Sequence, residues 1–271
     1  MQKTITSFQN PLIKNILKLQ QKSSERTRQG LFVAEGRREV SLALASGARA
    51  ENLVFCQELY EPEPDYPIDE KNLDKKSITY VGKEVYNKIA YRENAEGVMV
   101  VAEKTPPSLD DYTPDKNPLI LVLEGLEKPG NIGAILRTAD AAAVDAVLLC
   151  NPVTDIFNPN TIRTSLGCVF TMPVISCTTA QAISWLKKNQ VEIYAAAVQA
   201  NVLYFQEDFR GYTALVFGSE DKGLSAQWTE SANHLIKIPM GGRIDSLNVS
   251  ASVSIIAFEA VKQRGIKPRK R

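Results

Sequence analysis

The stretch LILVLEGLEKPGNIGAILRTAD, residues 119–140, decides the fold. Leu119 to Leu123 is an uncharged apolar run, Pro129-Gly130 is a turn, Asn131 is a natural N-cap, and Ile132 to Ala143 reads as a helix. Arg137 sits on that helix about two turns in. A strand that is apolar throughout, rather than at alternate positions, is one covered on both faces.

The same pattern recurs downstream at Ala146–Leu149, Ile193–Ala197, Ala214–Phe217 and Leu235–Ile238, with helical segments between most of these runs. Five such strands predict a doubly wound α/β domain with a parallel sheet. Ligands of open parallel sheets bind beyond the carboxyl ends of the strands, so the loops after the runs are the places to look for chemistry.

Three loops are unusual. In the first, residues 124–140, two local readings stand. Asn131 caps the helix and Arg137 pairs with Asp140 at the i, i+3 spacing, or both face a ligand. The second, Gly218-Ser219-Glu220-Asp221-Lys222-Gly223-Leu224-Ser225, has the glycine spacing of a phosphate loop, but Leu224 stands where the lysine belongs, which excludes a nucleoside triphosphatase. It is either an ordinary strand-to-helix turn or one whose glycines let the backbone approach a ligand. The third, Ile238-Pro239-Met240-Gly241-Gly242-Arg243-Ile244-Asp245-Ser246-Leu247-Asn248-Val249-Ser250, runs from a strand into an apolar helix, Ala251 to Val261, and gathers Ser246 and Asn248 in one polar cluster. No dinucleotide-type G-x-G-x-x-G occurs.

Upstream, Leu12, Ile13, Ile16, Leu17 and Leu19 recur at helical spacing with Lys14 and Lys18 on the other side. Leu31–Ala34, Leu53–Cys56, Ile78–Val81 and Val98–Val101 read as strands, with a helix through Val40 to Ala45. Lys104–Asn117 holds three prolines and no periodicity, as a linker does. The expected domains are residues 1–105, a linker at 106–117, a second domain at 118–264 and a basic tail at 265–271.

At 271 residues, with 44% hydrophobic and 23% charged, the chain has material for two cores. No apolar run reaches the length of a membrane helix, and Met1 to Ser7 carries no signal-peptide pattern, so the expected location is the cytoplasm. Cys56, Cys150, Cys168 and Cys177 are irregularly spaced and His234 is the only histidine, which argues against disulfides, a metal site and His-based catalysis. The net charge is only +1, yet residues 1–50 hold nine Lys or Arg against three Glu, and Lys262–Arg271 carries six basic residues and no acidic one. The tail is either a solvated end or part of a split phosphate-contacting surface with Lys14, Lys18, Lys22, Arg26, Arg28, Arg37 and Arg38.

Together, Asn131 with Arg137, Gly218–Ser225 and Ile238–Ser250 resemble, in order, the motifs of the SpoU (TrmH-like) family of RNA ribose methyltransferases in the SPOUT superfamily. Asn10, Pro11, Ile13 and Lys14 followed by Phe32-Val33-Ala34-Glu35-Gly36 resemble the RNA substrate-binding domain that many members carry. The resemblance implies a small N-terminal α/β RNA-binding domain, a C-terminal parallel-sheet domain with a deep trefoil knot, and a homodimer.

It also implies S-adenosylmethionine as cofactor, held by Gly218, Ile238 and Leu247 with Met240 nearby and Glu220 as the second motif's acidic residue. Ser219 stands where Asn is commoner. Asn131, Arg137, Ser246 and Asn248 match the family's catalytic cluster. The implied reaction is in-line attack of a ribose 2'-oxygen on the sulfonium methyl. Family proposals make the motif arginine a base, but an arginine that stays protonated fits better as a cation orienting the nucleotide and stabilising a forming alkoxide. Structured RNA is the implied partner, ribosomal RNA ahead of transfer RNA, with Lys14, Lys18, Arg26, Arg28 and Arg37 as candidate contacts. Two rivals share these features: an RNA-binding protein of the same fold without the reaction, and a small-molecule enzyme of doubly wound type, for which the basic helix has no use.

Overall fold

The structure, a computed structural model, describes residues 4–68, 75–114 and 116–265. The chain forms two compact units. The first comprises Met1–Thr105 with Asp155–Thr171, and the second comprises Pro106–Thr154 with Met172–Arg271.

The first unit opens with α1 (Pro11–Gln21), where Asn10 Oδ1 accepts the Leu12 N–H at 2.9 Å and Pro11 needs no hydrogen-bond acceptor in the first turn. Ile13, Ile16 and Leu19 face the core and are fully buried. A second helix, α2 (Ser23–Gln29), has no apolar periodicity to announce it and ends on Gly30 in the left-handed region. Then come β1 (Leu31–Glu35), α3 (Arg37–Ala45), β2 (Arg49–Phe55), β3 (Ile78–Tyr80), α4 (Lys83–Ile89) and β4 (Val98–Glu103). The sheet order is β1-β4-β2-β3; β4 runs antiparallel to both neighbours, and β2 and β3 are parallel.

The second unit contains β5 (Leu119–Glu124), α5 (Pro129–Ala141) and β6 (Ala146–Cys150). After β6 the segment Asp155–Thr171, with α6 (Pro159–Thr164), belongs by its packing to the first unit, where Phe157 stacks on Phe32 at a centroid distance of 4.7 Å and Phe170 lies tilted against it at 5.4 Å. The second unit resumes with β7 (Val174–Cys177), α7 (Thr179–Lys188), β8 (Glu192–Ala196), β9 (Val202–Leu203), β10 (Thr213–Phe217), α8 (Ala226–Ser231), β11 (His234–Lys237) and α9 (Val249–Arg264). All seven strands are parallel, in the order β7-β6-β5-β10-β8-β11-β9. The central strands β5 and β10 are buried along their whole length, as their continuous apolar character requires.

Three details depart from the sequence reading. Helix α5 begins at Pro129, so Asn131 lies inside the first turn and Lys128, not Asn131, occupies the cap position. Strands β7 and β9 are additional to the five apolar runs. The proline-rich stretch forms no helix or strand among its described residues but packs on the second unit: Leu109 joins its core and Tyr112 stacks on Trp185 at 5.6 Å. Of the expected basic tail, residues 266–271 lie outside the described residues. No helix among the described residues is long and apolar enough to cross a membrane.

Candidate active site

The carboxyl ends of β5, β10 and β11 lead into the three loops singled out in the sequence. Glu124, the last residue of β5, is 8% exposed, and its carboxylate is held inside by three donors. Ser225 donates both its N–H and its Oγ–H at 2.8 Å, and Thr179 donates its hydroxyl at 2.7 Å. A buried carboxylate with three donors is a well-satisfied anchor, and this one fastens the end of the 218–225 loop to the sheet.

That loop folds back on itself. The Gly223 N–H donates to the Ser219 carbonyl at 2.9 Å, and the Lys222 N–H to Ser219 Oγ at 3.2 Å. A Cβ on Gly218 would lie 2.1 Å from the Gly223 carbonyl oxygen, so only glycine permits the fold-back. The turn places Glu220 against the other two loops. Its Oε1 accepts from Asn131 Nδ2 at 3.0 Å and from Asn248 Nδ2, while Oε2 accepts from Lys128 Nζ. Asn248 Oδ1 meanwhile accepts the Ser250 N–H at 2.9 Å as the cap of α9, which leaves its amide nitrogen as the end that faces Glu220. The Lys128 ammonium first, then the Asn131 amide, hold the Glu220 carboxyl below the usual range, so it is an anion that knits three loops together.

Two hollows flank this network. The larger, about 910 Å³, is lined by Gly218, Glu220, Ile238, Met240, Ser246 and Leu247 together with Leu203 and Ile236. The smaller, about 380 Å³, lies against Glu124–Lys128, Asn131 and Ser219–Ser225. The larger cleft is of a size that suits a cofactor such as S-adenosylmethionine. Its apolar walls fit an adenine, and the Glu220 carboxylate is the kind of group that tolerates a nearby cationic ligand, so the residues present fit that cofactor.

The structure thus brings Asn131, Glu220 and Asn248 into hydrogen-bond contact and sets Gly218, Ile238, Met240, Ser246 and Leu247 around one cleft. Arg137 is exposed on α5, lines neither hollow, and makes no hydrogen bond or ion pair among the described residues. The ion pair with Asp140 considered from spacing alone is therefore not formed. Ser246 is exposed, and its hydroxyl is 3.3 Å from its neighbour Asp245. Lys128 escaped the sequence reading. Its position just before Pro129-Gly130 looks like a turn residue until the fold sets it beside Glu220.

In the first unit Lys14 and Lys18 are exposed on α1, and Arg28 is exposed beside Glu25. Arg26 is a correction: it is 5% exposed, bonded to the Leu19 carbonyl at 2.6 Å and to Asp155 at 2.6 Å, so it fastens the fold and offers nothing to a phosphate. Arg37 is likewise occupied, by Glu96 and by the Glu61 carbonyl.

With this geometry described, the likeness to known proteins has a structural footing. Residues 118–258 match the SpoU rRNA Methylase family and residues 10–100 match the MRM3-like substrate binding domain. An uncharacterized tRNA/rRNA methyltransferase of Synechocystis sp., slr1673, is 33% identical over 263 residues, which cover 96% of this chain and 94% of that protein. The 23S rRNA (guanosine-2'-O-)-methyltransferase RlmB of Xanthomonas axonopodis pv. citri is 40% identical over 147 residues, 54% of this chain and 59% of that enzyme. Among solved structures, the AdoMet-bound rRNA methyltransferase from Sinorhizobium meliloti superposes with a TM-score of 0.84 at 30% identity, covering 96% of this chain and 97% of that one. Two units with matching folds, and a site whose three loops meet as the motifs require, have one explanation: the chain is a member of the SpoU rRNA methylase family.

Proposed function

We propose that the protein transfers a methyl group from S-adenosylmethionine to a ribose 2'-hydroxyl of structured RNA, with ribosomal RNA as substrate. The observation that carries this reading is the meeting of Asn131, Glu220 and Asn248 beside the Gly218–Leu247 cleft. The guanosine-2'-O specificity of RlmB, with which this chain shares 40% identity over 147 residues, supports ribose rather than base chemistry.

S-adenosylmethionine supplies an electrophilic methyl on a sulfonium when bound. The residues of the chain then have separable tasks. Gly218, Ile238, Met240 and Leu247 shape the cofactor cleft, and Glu220 holds Asn131 and Asn248 in place so that the loops present one surface. Arg137, whose guanidinium donors are unclaimed among the described residues, orients the acceptor nucleotide and offsets charge that develops on the 2'-oxygen. Ser246, exposed at the mouth of the cleft, is a hydrogen-bond partner for the ribose. Alignment of oxygen, carbon and sulfur supplies much of the rate. The first unit holds the RNA, with Lys14, Lys18 and Arg28 on its surface as phosphate contacts.

The protein works as a homodimer in the cytoplasm. Support for the dimer comes from α9, which turns one apolar stripe inward and leaves Phe258 47% exposed on another side.

The test is methyl transfer from labelled cofactor to bulk RNA from cells lacking the protein, followed by mapping of the product. Label at one alkali-resistant position of ribosomal RNA is the expected result. Label in transfer RNA would change the substrate, label in an alkali-labile linkage would move the methyl to a base, and cofactor binding without any label would leave an RNA-binding role.

A further inference from the structure

The first unit carries an exposed aromatic residue that neither the site nor its basic helix accounts for. Tyr91, just beyond α4, is 47% exposed. Its backbone is held in place because the Tyr91 N–H donates to Glu35 Oε2 at 2.6 Å, and Glu35 itself is 8% exposed. The ring therefore stands at a defined position. The Arg163 guanidinium lies over it, 5.7 Å from the ring centroid, within the range of a cation–π contact. Arg163 is exposed and spends one of its donors on Asn160 Oδ1 at 3.1 Å, which leaves the rest of its fork toward solvent. Arg92, by contrast, is tied to Glu39 and Glu96 and cannot serve as that free cation.

The same unit carries exposed positive charge. Lys14, Lys18 and Lys22 follow one another at i, i+4 and i+8 along α1 and its cap, all exposed, and none forms an ion pair among the described residues. The same helix reaches Tyr91's neighbourhood, because Gln20 Nε2 donates to the Ile89 carbonyl at 2.7 Å, two residues before Tyr91. Gln20, Tyr91 and Arg163 also border one small hollow of about 10 Å³, floored by Glu35, whose Oε1 is buried without a partner among the described residues. An exposed ring backed by a guanidinium is an arrangement that stacks a base, and exposed lysines elsewhere on the same unit are groups that hold a phosphate backbone.

We propose that Tyr91 and Arg163 form a stacking platform for an unpaired nucleobase of the bound RNA. This rests on the RNA-directed reading above and adds the class of ligand, a single-stranded segment or splayed-out nucleotide. Arg163 comes from the segment after β6 that packs into the first unit. The platform is thus assembled from two distant parts of the chain.

The test uses the full chain with two probes, a short mixed-sequence single-stranded RNA and a blunt duplex of the same sequence. Tyr91→Ala lowers affinity for the single strand about tenfold, the scale of one stacked base, and leaves the duplex, whose bases are hidden, unchanged. Tyr91→Phe stays within twofold of the parent on both probes. Arg163→Ala, at an exposed position, weakens the single strand in the same sense. Short-wavelength irradiation of the parent complex gives a crosslinked peptide containing Tyr91, an outcome independent of how any variant folds. Single-strand affinities of Tyr91→Ala and Arg163→Ala within twofold of the parent, equal losses on both probes, or crosslinks confined to other peptides would overturn the platform. Methyl transfer to ribosomal RNA is scored separately: a parent that transfers nothing yet loses single-strand affinity on Tyr91→Ala keeps the platform and sinks the methyltransferase reading.

Discussion

Arg137 is exposed on α5, and its guanidinium forms no hydrogen bond or ion pair among the described residues. Its replacement should therefore separate chemistry from stability. Arg137→Lys keeps a positive charge but loses the planar fork, and the expected result is a fall in single-turnover methyl transfer of at least a hundredfold with unchanged cofactor affinity and melting temperature. Retained transfer would remove Arg137 from the reaction. Glu35 is the opposite case, a titratable group with a structural position. Burial pushes its carboxyl up to about 7 from 4.5, against the lowering pull of the Tyr91 N–H and the Arg92 guanidinium. The folded state then holds the proton more tightly than the unfolded chain, so the stability from this group is complete below about 4.5 and is lost as pH rises toward about 7. Burial raises Glu39 in the same direction. Thermal melts across that window should show a decline with rising pH, and Glu35→Gln, whose amide oxygen still accepts the Tyr91 N–H, should recover on the order of 2 kcal/mol at the alkaline end. A Glu35→Gln profile that falls as steeply as the parent's would show that Glu35 is not the group responsible.

At the scale of elements, the start of α9 couples fold and site through one side chain. Asn248 caps the helix with its oxygen and reaches Glu220 with its nitrogen. Asn248→Asp keeps the cap but sets a carboxylate against a carboxylate, so the variant should match the parent at a pH low enough to protonate one of the pair and be destabilised at neutral pH. Asn248→Ala loses cap and donor together and should cost about 1 kcal/mol at both. Melting curves at two pH values distinguish the two variants, and equal behaviour would mean that the Glu220 contact carries no weight. The same region shows what was legible beforehand. The strands β5, β6 and β10 announce themselves because they are buried along their whole length, β8 and β11 by the apolar residues at their centres, and Asn10 and Pro11 mark the start of α1 because capping is local. The loops could be named as a site from their residue types. Their contacts could not: Asn131 reads as a cap from its neighbours, and only the fold-back of the 218–225 loop, which Gly218 permits, brings Glu220 against it. Arg26 reads as a surface cation for the same reason, since its partner Asp155 lies in a segment whose packing against the first unit leaves no local trace. Strand β9, of two residues, is too short to carry a pattern.

At the scale of the whole molecule, α9 makes an argument about assembly. Val249, Val253, Ile256, Ala257 and Ala260 are its buried stripe, at the spacing of one helical face. That stripe is consumed by packing on α5 and β10 within the unit. Ala251, Ile255 and Phe258 make a second stripe, only partly covered, and Phe258 is 47% exposed. A helix apolar on two sides and covered on one is what a subunit leaves at an interface, because an isolated surface helix would carry polar residues there. In the proposed dimer this second stripe is the contact. Phe258→Glu places a charge in that contact at a position 47% exposed in the subunit, so the expected outcome is a shift from dimer to monomer in sedimentation equilibrium at micromolar protein, with the melting transition of the separated subunit still cooperative. If the dimer is also what completes the RNA surface, methyl transfer falls with the dimer fraction as protein is diluted, and cofactor affinity follows it only to the extent that the cleft needs the partner. A parent chain that sediments as a monomer at that concentration, or a Phe258→Glu variant that remains dimeric, would place the interface elsewhere and leave Phe258 as an isolated exposed side chain.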